Sequence, residues 1–265
     1  MKKLFFILLL TTLLAACGDD AATEENSNNP PEEEKSSGEI QSENLEELEE
    51  VNAEVTSIEY YQWLDPAIDT ETITVYAEIR NTSDVPIDVV GANLTYLDTD
   101  GGVIAVNESQ VRPRFLNPDG TGYVIAEIEG SIDEYDSLNE VDIEVSPTAF
   151  PDAEIVDFST RDENLKVDSW GQSGSDVAVT GYLENESSVT FTEDDTAAAI
   201  GIYDENGDFL AAEPMYSDQN FSLDANGETS FEIGGGSPLP SEVGENVDSV
   251  KVQAIGIEGM DNYWW

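Results

Sequence analysis

The chain has 265 residues, with 58 Asp and Glu against 9 Lys and Arg, one cysteine and no histidine, for a formal net charge of −49. Without histidine there is no Ser-His-Asp triad, no His-ligated zinc and no imidazole acid or base. An acidic surface of this density repels nucleic acid and anionic lipid headgroups. Because the acids run along the whole chain, the excess reads as adaptation to a halophilic or alkaline setting, where hydrated carboxylates keep a protein soluble.

In chain order, the first element is Met1 to Ala16. It has a basic start at Lys2-Lys3, an apolar run from Leu4 to Leu14 broken only by Thr11 and Thr12, and small residues Ala15-Ala16 ahead of Cys17. This is the layout of a secretory signal peptide. The run falls short of the roughly 20 apolar residues that a spanning helix needs. Leu14-Ala15-Ala16-Cys17 resembles the lipobox of bacterial lipoproteins. The resemblance implies cleavage between Ala16 and Cys17 and a diacylglyceryl group on the Cys17 thiol. It also implies a membrane anchor on the outer, extracytoplasmic face. Two acyl chains hold stably, each buried CH₂ contributing about 0.8 kcal/mol. With Cys17 lipidated, no thiol remains for a disulfide, a thiolate nucleophile or a Cys-ligated metal.

Residues 17–50 form an acidic tether. Gly18 to Ser42 is mainly Asp, Glu, Asn, Ser and Pro, with Ile40 as its single isoleucine. Such a stretch buries too little apolar surface to offset its ordering entropy and behaves as a self-repelling flexible linker. Leu45, Leu48 and Val51, at i, i+3 and i+6, predict a short helix leading into the first domain.

From Val51 the pattern is strand-like. Ile73-Thr-Val75-Tyr-Ala77-Glu-Ile79 alternates, and runs at Val89–Leu97, Tyr123–Ile128 and Val141–Val145 follow. Turn clusters at Asn81–Pro86, Asp98–Gly102 and Asn117–Gly120 separate them, as in a β-sandwich. A second copy then repeats the first. Ala53-Glu54-Val55 is echoed by Ala153-Glu154-Ile155, and Ile79-Arg80-Asn81-Thr82-Ser83 by Leu183-Glu184-Asn185-Glu186-Ser187. Leu94 to Gly101 aligns with Ile200 to Gly207, and Leu116 to Gly120 with Leu223 to Gly227. The expected fold is all-β, with two tandem immunoglobulin-like β-sandwich domains at 51–147 and 151–258. An aromatic tail follows at 259–265.

These repeats resemble the FxLYD domain, a small immunoglobulin-like module of bacterial surface lipoproteins. The named stretch is matched by Leu94-Thr95-Tyr96-Leu97-Asp98 and by Ile200-Gly201-Ile202-Tyr203-Asp204, each followed by a glycine turn at Gly101 or Gly207. Leu94 and Ile200 stand where the family has phenylalanine, and the first copy swaps the Leu-Tyr order. The resemblance implies extracytoplasmic display and no catalytic centre.

Several residue groups are candidates for chemistry. Asp98, Asp100, Asp204, Asn206 and Asp208 place oxygen ligands at alternate positions of tight loops, an arrangement that suits calcium. A plain hairpin turn explains the same residues, and the EF-hand spacing is missing. Thr192-Glu-Asp-Asp195 reads as a solvated loop. Paired carboxylates could hydrolyse glycosides, but among 58 acids such pairs arise everywhere. Trp63 and Trp170 occupy comparable places early in each copy and read as core residues; Tyr263-Trp264-Trp265 reads as a packed end or a contact surface. The function expected is structural or protein-interaction work in the cell envelope, with no enzyme activity and no cofactor. The partners expected are the membrane, through the lipid, and an envelope protein or peptide. The competing expectation is an accessory lipoprotein that captures calcium, a peptide or a glycan.

Overall fold

A computed structural model of the chain describes residues 51–66, 70–129, 135–150, 154–171, 174–215 and 222–258. The expected signal peptide and tether, Cys17, the helix expected at Leu45 and Leu48, and the tail with Trp264 and Trp265 lie outside the described residues.

The fold is all-β. The N-terminal half carries β1 (Ala53–Asp65), β2 (Thr70–Asn81), β3 (Ile87–Asp88), β4 (Gly91–Asp98), β5 (Val103–Arg112), β6 (Phe115–Leu116), β7 (Thr121–Glu129), β8 (Leu138–Val145) and β9 (Thr148–Ala149). The C-terminal half carries β10 (Ile155–Asp157), β11 (Ser159–Ser169), β12 (Ser175–Glu184), β13 (Phe191–Thr192), β14 (Thr196–Tyr203), β15 (Phe209–Pro214), β16 (Ser222–Leu223), β17 (Glu228–Gly234), the helix α1 (Ser241–Asn246) and β18 (Ser249–Ile257).

The strand order repeats. One layer of the first sandwich is β1-β2-β7 and the other β5-β4-β8, linked where β5 meets β7; the second sandwich has β11-β12-β17 and β15-β14-β18-β10. All named pairings are antiparallel. The sequence echoes sit at equivalent places. Each hairpin, β4–β5 and β14–β15, shifts register just before its turn, at Tyr96/Leu97 and at Ile202/Tyr203. Each turn then reverses on a glycine with positive φ, Gly101 at 77° and Gly207 at 83°, a conformation that costs glycine nothing.

The deepest correspondence is a buried asparagine. Asn81 is fully buried; its Nδ2 donates to the carbonyls of Val85 (2.9 Å) and Leu116 (3.0 Å), and its Oδ1 accepts from the Ser83 N–H (2.8 Å). Asn185 repeats this with Val189 (2.7 Å), Leu223 (3.4 Å) and the Ser187 N–H (2.9 Å). Each amide ties the turn after its strand, β2 or β12, to the distant Leu-x-x-x-Gly turn. It satisfies carbonyls that burial would otherwise leave unpaired.

The first core gathers Ile73, Val75, Ala77 and Ile79 of β2 with Leu94, Tyr96, Val124 and Val141. The second gathers Val177, Val179, Leu183, Ile200, Ile202, Phe231 and Ile233, and it also takes in Tyr76 and Tyr123 from the first sandwich. The described residues from 51 to 258 form one compact unit. The stretch after β8 belongs to this packing too. Thr148 and Ala149 pair with β3, and the Phe150 ring packs tilted against Phe115, with ring centroids 4.8 Å apart.

The tryptophans depart from their expected places. Trp170 follows β11 at its turn and is 47% exposed, so it is not a core residue. Trp63 is half-buried: its Nε1 donates to Thr74 Oγ1 (3.0 Å), and its ring lies against Gly174. The acid cluster after Thr192 is a 3-10 turn in which Asp195 accepts from the backbone N–H and hydroxyl of Thr192. The helix α1 is not foreshadowed in the sequence; six residues hold too few turns to show a period. Among the described residues, no helix is long and apolar enough to cross a membrane.

Candidate interaction cleft

Alternation along β2 places Ile73, Val75, Ala77 and Ile79 on one face and Thr72, Thr74, Tyr76 and Glu78 on the other. Both faces are covered, with Thr72, Thr74 and Tyr76 at 2% exposure or less. The C-terminal sandwich supplies the second cover, through β14 and β15. Its contact face is small where the partner is large: Ala197 packs with Phe115, and Gly201 receives Tyr123. A Cβ on residue 201 would stand 2.6 Å from the Tyr123 hydroxyl and 2.8 Å from its ring carbons.

Aromatic rings and polar pins lock the junction. Tyr123 stacks on Phe209 at 6.0 Å and 7°, and Tyr203 meets Phe209 edge-on at 5.7 Å. Tyr61 donates its hydroxyl proton to the Leu210 carbonyl (3.0 Å), and Tyr203 donates to the Glu78 carboxylate. The Lys251 ammonium sits 3.9 Å above the Tyr203 ring, a favourable cation–π placement. Asn117 Nδ2 reaches the Ile155 carbonyl (3.2 Å) and Asp157 (2.7 Å). Burial pushes the Tyr123 hydroxyl up to about 12 and holds those of Tyr61 and Tyr203 higher still, so all three remain donors at neutral pH.

A cleft of about 890 Å³ opens beside this junction. Its origin is a divergence of strands. β5 pairs with β4 along nearly its whole length but with β7 only at Val111↔Val124 and Arg112↔Tyr123. Past that point side chains bridge the gap. Ser109 Oγ donates to the Ile125 carbonyl (2.6 Å) and Asn107 Nδ2 to that of Glu127 (3.1 Å). Pro214 and Ser237 close the cleft from the second sandwich, and Val90, 58% exposed, stands at its margin. The lining is mixed: Ile125 and Pro214 beside the carboxylates of Glu108 and Glu127 and the Arg112 guanidinium, which is held by Gln110 at 2.9 Å. Burial first, then Asp65 and Glu129, pushes the Glu127 carboxyl above the usual range. Such a surface offers shape, backbone-like polar groups and negative charge to an extended ligand.

The five oxygen-bearing residues expected as calcium ligands fall elsewhere in the molecule, in two separate turns. In the β4–β5 turn Asp98 Oδ1 accepts from the N–H groups of Asp100 (2.8 Å) and Gly102 (2.7 Å). In the β14–β15 turn Asp204 Oδ1 accepts from Asn206 (2.8 Å) and Asp208 (2.9 Å), and Oδ2 from Asn206 Nδ2 (3.0 Å). These bonds, led by the Asp208 N–H, hold the Asp204 carboxyl below its ordinary value. Burial first, then the charge of Asp208 in this turn, raises the Glu59 carboxyl on β1. Among the described residues no group of three or more His, Cys, Asp or Glu is placed to hold a metal ion. No motif in the sequence announces the cleft. The one local signal for it is the set of small and polar residues on strand faces that alternation assigns to solvent.

No family model and no curated protein matches the chain. Among solved structures it is similar to the crystal structure of red sea bream transglutaminase, at 10% identity over 78% of this chain, with a TM-score of 0.22. The chain spans 29% of the length of that structure. A likeness this loose says nothing about activity.

Proposed function

We propose that the chain is a lipid-anchored protein of the bacterial cell envelope whose paired FxLYD-type sandwiches engage another envelope protein. The observation that carries this reading is Leu14-Ala15-Ala16-Cys17, the chain's single cysteine placed directly after a basic start and a short apolar run. In this reading the acidic tether lifts the sandwiches off the membrane. The junction fixes them as one body, and the cleft beside β5 and β7 is the surface turned to the partner. The absence of histidine from the whole chain and the use of the Ser109 hydroxyl in a backbone hydrogen bond favour binding over catalysis.

Two experiments test the two parts. Cys17→Ala should move the protein from the membrane fraction to the soluble one; continued sedimentation with membranes would refute the anchor. A photo-crosslinking residue at Val90, on the cleft, should give a discrete protein adduct in intact cells. The same residue at Val106, 72% exposed on β5 and outside the cleft lining, should not. Equal adducts at both positions would refute the cleft as the interaction surface.

A further inference from the structure

Glu213 lies on β15 between Ala212, a member of the core that spans the junction, and Pro214, which lines the cleft. It is 3% exposed, and its Oε2 is buried without a hydrogen-bond partner. On β12, Asp176 holds a second carboxylate oxygen, Oδ1, in the same condition. Leaving one buried polar oxygen unpaired is costly, and a buried charge without a counter-ion costs far more. Nothing in the packing of β15 asks for a carboxyl here, since its inward neighbours are Phe209, Ala211 and Ala212.

The charges that act on Glu213 share its sign: Asp176 from β12 of the same sandwich and Glu127 from β7 across the junction. Tyr76 on β2 adjoins it, with Tyr61 and Asp65 of β1 acting on Tyr76. On β14 its strand partner is Ile200, and β17 turns Phe231 and Ile233 inward while Glu228 and Glu232 lie exposed. Lys166, paired with Asp168 on its own strand, acts on Asp176.

We propose that Glu213 is a proton-operated latch at the junction: neutral, it lets β15 lie against the N-terminal sandwich; ionised, it cannot stay buried opposite Glu127, and β15 leaves that face, opening the cleft. The proton passes to solvent on opening and returns on closing. Burial, then Asp176 and Glu127, pushes the closed-state carboxyl up to about 8 from an ordinary value of 4.5. The sign follows from linkage. The closed state binds the proton more tightly, so closure is fully favoured below about 4.5 and loses ground as pH rises toward about 8, where the closed form too gives up its proton. Opening breaks the Tyr61–Leu210 and Tyr203–Glu78 bonds, which span the same contact.

Hydrogen-exchange protection factors, which remove the intrinsic effect of pH, test this on the full lipidated protein in detergent. Protection of residues 209–214 should fall by up to about tenfold per pH unit between about pH 5 and 8 and level off above, as expected for release of one proton. The β4–β8 pairing serves as an internal reference and should not change. Glu213→Gln should keep the protection at every pH. If that variant does not fold, Glu127→Gln decides, because removing the like charge across the junction should shrink the loss several-fold. A wild-type protein that keeps its protection to pH 9, or an undiminished loss in Glu213→Gln or Glu127→Gln, overturns the proposal.

Discussion

Tyr123 and Gly201 fit each other as ring and gap: the tyrosine hydroxyl occupies a point 2.6 Å from where a residue-201 Cβ would stand. Gly201 lies in the second copy of the repeated Leu/Ile-x-x-x-Asp stretch, at the place held by Thr95 in the first. The two copies have therefore diverged on the face where they meet. Gly201→Ala should destabilise the protein by about 1–3 kcal/mol, the usual range for overpacking. Tyr123→Ala should erase most of that added cost in a double-mutant cycle. Additive losses, read by chemical denaturation, would mean that the ring and the glycine do not meet.

The paired asparagines allow a test of duplication at the level of energy. Asn81→Ala and Asn185→Ala each strip donors from buried carbonyls, and each should cost about 1–3 kcal/mol. Because the two sandwiches share a core, either substitution should lower a single cooperative transition rather than split it. Two separated transitions in calorimetry would contradict a shared core.

In the turns, the oxygens of Asp98 and Asp204 are engaged by backbone N–H groups of their own loops. Millimolar calcium should accordingly shift the melting temperature no more than sodium chloride of equal ionic strength. A saturable calcium-specific shift that disappears in Asp204→Ala would restore the cation reading.

Charge sets a further expectation. From residue 51 on, the bases are Arg80, Arg112, Arg114, Arg161, Lys166 and Lys251. Arg161 alone takes up Asp162, Glu184 and Glu228, and Arg114 binds Asp88 through both Nε (2.8 Å) and Nη2 (2.5 Å). With so few bases, most acids face like charge. Salt screens that repulsion, the Debye length falling from about 10 Å at 0.1 M to about 3 Å at 1 M. The melting temperature should therefore rise with sodium chloride up to about 1 M. A flat response would mean that surface acids do not limit stability.

Strand positions and the duplication are legible in the sequence because both rest on local signals: alternation, turn chemistry and glycine placement. Ile73-Thr-Val75-Tyr-Ala77-Glu-Ile79 shows why the junction is not. Its even positions, Thr74, Tyr76 and Glu78, have the composition of a solvent face. They pack against β14 and β15, more than 115 residues away along the chain, and no local pattern encodes a contact that distant. Trp170 shows the reverse error, since an aromatic side chain suggests a core wherever it stands. The cleft depends on β5 leaving β7 after two paired residues, which is a property of sheet geometry and not of any motif. Glu213 carries no signal among 58 acids; only its placement sets it apart.

A lipid on Cys17 is what would hold this pair of sandwiches at the membrane. The mass of the N-terminal peptide of the mature protein, purified from a bacterium that processes lipoproteins, tests that anchor most directly. The expected peptide begins at Cys17 and carries a diacylglyceryl adduct on that residue. A peptide that runs through Ala16 into an unmodified Cys17 would contradict it.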